Sequence, residues 1–238
     1  MQWRKTLFLS LLLAVSIAFA RPTLIIIDAS GSMDYSMDDG TKRIDAAKMA
    51  AKEIVSNSND EIALMVYNDC DRGGDPHSGA IWVDVEFTTD KARLTNAIDN
   101  IQPWASTPIA RSLEEGSIYV ASTGKQAGIV LLTDGEETCD SQSYAVEVAS
   151  KAQQSGVVIV NIVGFQLDQY SQKQMAEIAS AGKGNYYDAQ DVDSLSVSLR
   201  QAYGSASGTA DLFEMCCGPI AILLALAGLG IYVKGRRC

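Results

Sequence analysis

The sequence predicts an α/β domain, a doubly wound and mostly parallel sheet with one antiparallel edge strand, preceded by a signal peptide and followed by a C-terminal transmembrane helix. Three observations carry this. Short β-branched runs alternate with helical apolar patterns through the middle of the chain, as in a parallel sheet covered on both faces. One neighbouring strand pair has no helix between its members. Each end carries a continuous apolar stretch.

Residues 1–20 hold Arg4-Lys5, an apolar run from Leu7 to Phe19 broken only by Ser10 and Ser16, and then Ala18-Phe19-Ala20. That order reads as the n-region, h-region and cleavage site of a signal peptide. The mature chain is expected to begin at Arg21, with an uncleaved anchor as the alternative. Residues 21–203 then suffice for one domain with one core, and they contain no internal repeat.

Strands are expected at 23–27, 61–67, 82–87, 128–132, 157–163 and 185–187. Five should be parallel. The strand at 82–87 follows 61–67 through a turn-rich loop, so these two should form an antiparallel pair with 82–87 at the sheet edge.

The helices follow from apolar spacing and end signals. Ile44, Ala47, Ala51 and Ile54 mark the first, and Leu94, Ala97, Ile98 and Ile101 the second, with Asp90 in its first turn. Ile109, Leu113, Gly116 and Val120 mark a third, opened by Thr107 as cap and Pro108 at the first helical position. Tyr144, Val148 and Ala152 lie on a fourth that stops at Gly156. Met175, Ile178 and Ala179 lie on a fifth, with Ser171-x-x-Gln174 as capping box and Gly182 as its close. A last helix near 193–203 competes with a strand, because Leu195, Val197 and Leu199 also alternate.

Residues 204–214 read as a linker, 215–233 as a transmembrane helix and 234–238 as a tail carrying Lys234, Arg236 and Arg237. Basic residues only on the far side place the tail in the cytoplasm and the domain outside. A sorting tag removed during surface attachment is the alternative. The eight residues from Gly204 to Asp211 reach at most roughly 27 Å, which keeps the domain close to the bilayer.

All 29 acidic residues but only 14 of the 19 basic ones lie between 21 and 217, so that portion carries about −15 against −10 for the whole chain. Nucleic acid and anionic membrane surfaces are thereby disfavoured as partners. Cations are favoured.

Doubly wound sheets bind ligands at the carboxyl edge of their strands, where the strand order reverses. Three segments meet there. Asp28-Ala29-Ser30-Gly31-Ser32 follows the first strand, with Gly31 allowing a sharp turn; Thr107 precedes Pro108 at a helix start; Asp134-Gly135 ends the strand at 128–132. Singly, each is an ordinary cap or turn. Their arrangement at one edge, in this chain order, is harder to produce by accident.

Asp28-x-Ser30-x-Ser32, Thr107 and Asp134 resemble the metal-ion-dependent adhesion site of von Willebrand factor A-type domains, and the resemblance covers nearly all of residues 23–203. It implies that Ser30, Ser32 and Thr107 ligate a cation through hydroxyl oxygens, with Asp28 and Asp134 acting directly or through water. It further implies a protein partner whose acidic side chain fills the last coordination position. An all-oxygen site with few carboxylates suits Mg²⁺, with Mn²⁺ or Ca²⁺ as alternatives. Zinc is disfavoured, since His77 is the only histidine. A similar Asp-Gly-Glu-Thr-Cys setting in bacterial members of the family points to a bacterial source.

Asp34, Asp38, Asp39, Asp69, Asp71, Asp75, Glu136, Glu137 and Asp140 are expected in loops at the same edge, as a solvated rim or as a second cation site, Ca²⁺, at 34–39 or 69–75. A rim this acidic selects a partner whose single carboxylate sits among basic residues. Cys70 and Cys139 fall in loops there and, in an oxidising compartment, are expected to form a disulfide, two free thiols being the alternative. Cys216 and Cys217 are candidates for acylation, interchain linkage or simple apolar filler, and Cys238 should stay reduced.

Catalysis is not expected. The Asp28 motif lacks a second Asp, no Gly-x-x-x-x-Gly-Lys phosphate loop exists, and His77 lies in a glycine-rich loop unsuited to a general base. Metal-assisted hydrolysis is the form catalysis would take. A third reading is a regulatory or assembly subunit of a membrane complex, packing through Ala221, Ala225, Ala227, Gly228 and Gly230.

Overall fold

The computed structural model describes residues 20–70 and 81–209. The signal peptide short of Ala20, the transmembrane helix, the tail, Asp71, Asp75, His77 and Cys216, Cys217 and Cys238 lie outside the described residues. Among the described residues no helix is long and apolar enough to cross a membrane.

Six strands form one sheet: β1 (Thr23–Asp28), β2 (Ile62–Tyr67), β3 (Ile81–Thr88), β4 (Ala127–Thr133), β5 (Val157–Phe165) and β6 (Tyr186–Ala189). Their order is β3-β2-β1-β4-β5-β6. All neighbours are parallel except β2 and β3, so β3 is the antiparallel edge strand the sequence predicts.

Six helices cover the sheet: α1 (Arg43–Asn57), α2 (Lys91–Asn100), α3 (Ile109–Thr123), α4 (Gln142–Lys151), α5 (Gln169–Ala181) and α6 (Val192–Ser207). The alternation of β1 divides the core between two faces. Ile25 and Ile27 pack with α1, α2 and α6, whereas Leu24 and Ile26 pack with α3, α4 and α5. With both faces covered, β1, β2 and β4 are buried along their whole length, which is why they read as unbroken apolar runs.

The helix starts correct several expectations. Asp90 is the N-cap of α2, accepting from the Arg93 amide, rather than a first-turn residue. Pro108 is the N-cap of α3, and Thr107 makes no cap; the Glu137 carboxylate takes the free amide of Ala110 instead, at 2.5 Å. Asp168 caps α5 three residues before the expected box, leaving Ser171 inside the helix. The last segment is a helix. Asp191 and Ser194 close a reciprocal capping box, and Leu195, Leu199, Ala202 and Ala206 face the core while Val197 is exposed. The helix α6 runs to Ser207, four residues past the expected end of the domain at 203. Gly31 is not in the left-handed region. Its hydrogen instead admits the Ala105 carbonyl, 3.4 Å from where a Cβ would stand.

The loops at the carboxyl edge are tied together. Cys70 and Cys139 form a disulfide with Cα atoms 5.5 Å apart. Arg111 pairs with Asp140 at 2.7 Å and donates to the Cys70 carbonyl. Thr138 holds Thr107 from both sides, accepting from its amide at 2.8 Å and donating its own amide to the Thr107 carbonyl at 3.1 Å.

Candidate metal centre

Parallel pairing sets Asp28 opposite Tyr67 on β2 and Ile27 opposite Leu132 on β4. The carboxyl ends of β1 and β4 therefore lie side by side at the point where the strand order reverses. Asp28 emerges fully buried there. One of its oxygens accepts from the Ser30 amide at 2.7 Å, the other from the Thr133 hydroxyl at 2.7 Å. Tyr67 is buried alongside, and its hydroxyl has no hydrogen-bond partner among the described residues.

A 3-10 turn at Gly31–Asp34 carries Ser32 to the same point. The Ser30 and Ser32 hydroxyls are 3.1 Å apart, and Ser32 Oγ donates to Asp134 Oδ1 at 2.6 Å. Thr107 comes from the loop before α3. Its Oγ1 and Ser32 Oγ lie 3.6 and 3.9 Å from the place a Cβ on Gly135 would occupy, so the two hydroxyls are at most about 7.5 Å apart. Thr107 Oγ1 makes no hydrogen bond among the described residues. All five residues named from the sequence meet at one edge.

Two carboxylates share this buried spot. Burial, and then the charge of Asp134, push the Asp28 carboxyl up to about 6, against the hydrogen bonds from Ser30 and Thr133. Asp134 is also raised by burial, opposed by Ser32 and Arg43. Arg43 is the residue that sequence reading missed. From the first turn of α1 its Nη1 donates to Asp134 Oδ2 at 2.8 Å and its Nε to Gln166 Oε1 at 2.9 Å. Thr133 was missed too, although it stands beside Asp134 in the sequence.

A family model for the von Willebrand factor type A domain matches residues 23–137. The uncharacterized protein YwmD of Bacillus subtilis (strain 168) is 30% identical over 180 residues, covering 71% of this chain and 79% of that protein. The chain belongs to the von Willebrand factor type A family.

Among solved structures, the von Willebrand A fold of this chain resembles a von Willebrand factor type A protein from Catenulispora acidiphila. The TM-score is 0.58 at 22% identity, covering 77% of this chain and 42% of that one. It also resembles the pilus adhesin SpaC from Lactobacillus rhamnosus GG, at TM-score 0.63 and 18% identity, covering 78% and 30%. The chain thus spans less than half the length of either. The von Willebrand domain of the pili tip protein Mfa5 from Porphyromonas gingivalis is matched over 96% of its length and 80% of this chain, with TM-score 0.62 and 13% identity. At these identities the likeness concerns the fold.

The donor set of this von Willebrand A domain is chemically suited to a hard cation. Three hydroxyls and two carboxylates offer oxygen only, which fits Mg²⁺, Mn²⁺ or Ca²⁺ and not a soft metal. The loop at 34–39 departs from the expected second site, while most of the alternative at 69–75 lies outside the described residues. Asp34 pairs with Lys42 at 2.6 Å, Asp39 accepts from the Thr41 amide at 2.8 Å, Glu137 caps α3 and Asp140 holds Arg111. Among the described residues no group of three His, Cys, Asp or Glu gathers as a metal cluster, so Asp34, Asp38 and Asp39 do not converge as a Ca²⁺ cage requires.

Proposed function

We propose that the chain is an extracytoplasmic, membrane-anchored binding domain that captures a protein partner through a divalent cation at this edge. One observation carries the reading. Ser30, Ser32, Thr107, Asp28 and Asp134, drawn from three separate stretches of backbone, bring their oxygens to the switch point of the sheet.

In this reading Ser30, Ser32 and Thr107 hold the ion through neutral hydroxyls, and Asp28 and Asp134 act directly or through water. Arg43 meets part of the Asp134 charge. The bound ion would then keep net positive charge and supply a position that an acidic side chain of the partner completes. The chain binds and performs no chemistry on its partner. Family members resembled in fold include a pilus adhesin and a pili tip protein, which supports protein capture as the class of activity. The N-terminal leader and the apolar segment at 215–233 support an outward-facing, single-pass placement.

The test is crosslinking and pull-down from intact cells with and without chelator, beside an Asp28→Ala control. Partner bands should disappear in both. Bands that survive chelation and the substitution alike contradict the proposal.

A further inference from the structure

The described residues leave three aromatic side chains broadly exposed, Tyr35, Trp104 and Tyr170, each 64% exposed. All three stand on segments at the carboxyl edge. Tyr35 ends the 3-10 turn that carries Ser32, its amide bonded to the Ser32 carbonyl at 3.0 Å. Trp104 bridges to Ser30, its amide donating to the Ala29 carbonyl at 2.7 Å. Tyr170 opens α5 next to Ser171, whose hydroxyl donates to Glu136 at 2.9 Å, two residues beyond Asp134. The other large exposed apolar side chains, Met49, Ile118 and Val197, are scattered over the flanks of α1, α3 and α6.

One face of the Tyr35 ring already takes the Arg43 guanidinium, whose carbon lies 5.9 Å from the ring centroid, whereas Trp104 and Tyr170 carry no such cation among the described residues. Exposed Trp and Tyr cost solvation where they stand, and they are the residue types that dominate contact energy at interfaces. Here they are interleaved with acid. Tyr35 follows Asp34, Tyr170 lies beside Asp168 and Glu136, and Asp38 and Asp39 are exposed in the loop that continues from Tyr35. No basic side chain pairs with Asp38, Asp39 or Glu136 among the described residues. Among the described residues, three cations of the edge are committed, Lys42 to Asp34, Arg43 inward to Asp134 and Arg111 to Asp140, while Lys173 stands beside Tyr170 on α5.

Resting on the metal reading above, we infer that this aromatic and acidic rim recognises a polypeptide segment in which one acidic residue is flanked by Lys or Arg. The acid completes the cation. The flanking cations lie over the ring faces with their heads toward the rim carboxylates and their aliphatic stems along the rings. A neutral partner would cover these carboxylates and leave them without a counter-charge, which burial penalises. An acidic partner would be repelled.

The test uses the full chain and three fluorescent nonapeptides that differ only in the residues flanking a central Asp: Lys, Gly or Glu. Anisotropy is read in Mg²⁺ and in EDTA. In Mg²⁺ the Lys-flanked peptide should bind at least about tenfold tighter than the Gly-flanked one, with the Glu-flanked one weakest. In a Tyr35→Ala, Trp104→Ala, Tyr170→Ala variant of unchanged thermal midpoint, the Lys-over-Gly ratio should fall to about one. Equal affinities, a ratio that survives loss of the rings, no binding of the Lys-flanked peptide at millimolar concentration, or its displacement by a neutral oligosaccharide would each overturn the inference. A ring-dependent Lys preference that persists in EDTA keeps the rim inference and removes the metal reading.

Discussion

Arg43 Nη1 donates to Asp134 Oδ2 across 2.8 Å, joining the first turn of α1 to the end of β4. The Asp134 side chain is closed to solvent and the Arg43 side chain is 21% exposed. A buried carboxylate that keeps its charge needs a partner. Ser32 takes one oxygen and Arg43 the other, so this guanidinium makes it possible for two carboxylates to sit side by side in the absence of an ion.

Arg43→Gln should therefore destabilise the chelated protein by about 2–3 kcal/mol, less than the ~3–5 of a fully buried pair because the guanidinium is partly wet. Saturating Mg²⁺ should restore more stability to this variant than to the wild type. Chemical denaturation with and without the ion measures both effects.

Stability of the chelated protein should fall as pH rises from about 4 to about 6. The folded chain retains a proton on Asp28, whose carboxyl is raised to about 6, that the unfolded chain has already released near the ordinary carboxylate value. Asp134 adds in the same direction. The total from Asp28 is at most about 3 kcal/mol, and the curve levels off above about pH 7 for this group. Asp168 and Asp191, whose pKa values are lowered by their cap hydrogen bonds, lose their contribution below pH 4, outside this window. Thermal midpoints in EDTA should be higher at pH 5 than at pH 7, Mg²⁺ should raise the midpoint more at pH 7, and Asp28→Asn should weaken the trend to the part that Asp134 supplies.

Replacing Cys70 and Cys139 together by Ser opens a link between positions 69 residues apart. A loss of about 2–4 kcal/mol is expected from the freed denatured chain. Hydrogen exchange should rise first in residues 101–108 and 135–140. Exchange unchanged in those segments would show that Arg111 and Thr138 hold the loops without the bridge.

Glu137→Ala removes the cap of α3 together with the bonds to the Cys139 and Asp140 amides. The cost should be about 1–2 kcal/mol, in the range of a lost N-cap, and Mn²⁺ affinity followed by electron paramagnetic resonance should drop as Thr107 loosens. Glu137→Gln, which keeps one acceptor oxygen where Glu137 uses two, should recover only part of each.

The strands were legible because parallel strands buried on both faces leave an unbroken apolar record. Ile25 and Leu64 could hardly stand elsewhere. The hydroxyl and carboxylate donors were legible because strand ends put them at one edge whatever the details of the loops. Arg43 was not. Its partner is 91 positions away, and nothing in the first turn of a helix separates an inward Arg from a solvated one. The cap of α3 was assigned to Thr107 because a hydroxyl before Pro is the local default, but Glu137 reaches the same amide from another loop. The last helix was ambiguous because Leu195, Val197 and Leu199 satisfy both periods. Only the burial of Leu195 and Leu199 with Val197 in water separates them.

At the opposite edge of the sheet, the Arg21 amide donates to the Ser207 carbonyl at 2.8 Å, so the first strand and the last helix of the described unit meet at one point. That unit can be spliced into a surface loop of a host protein, or cut and rejoined elsewhere around its circumference, without disturbing the far edge.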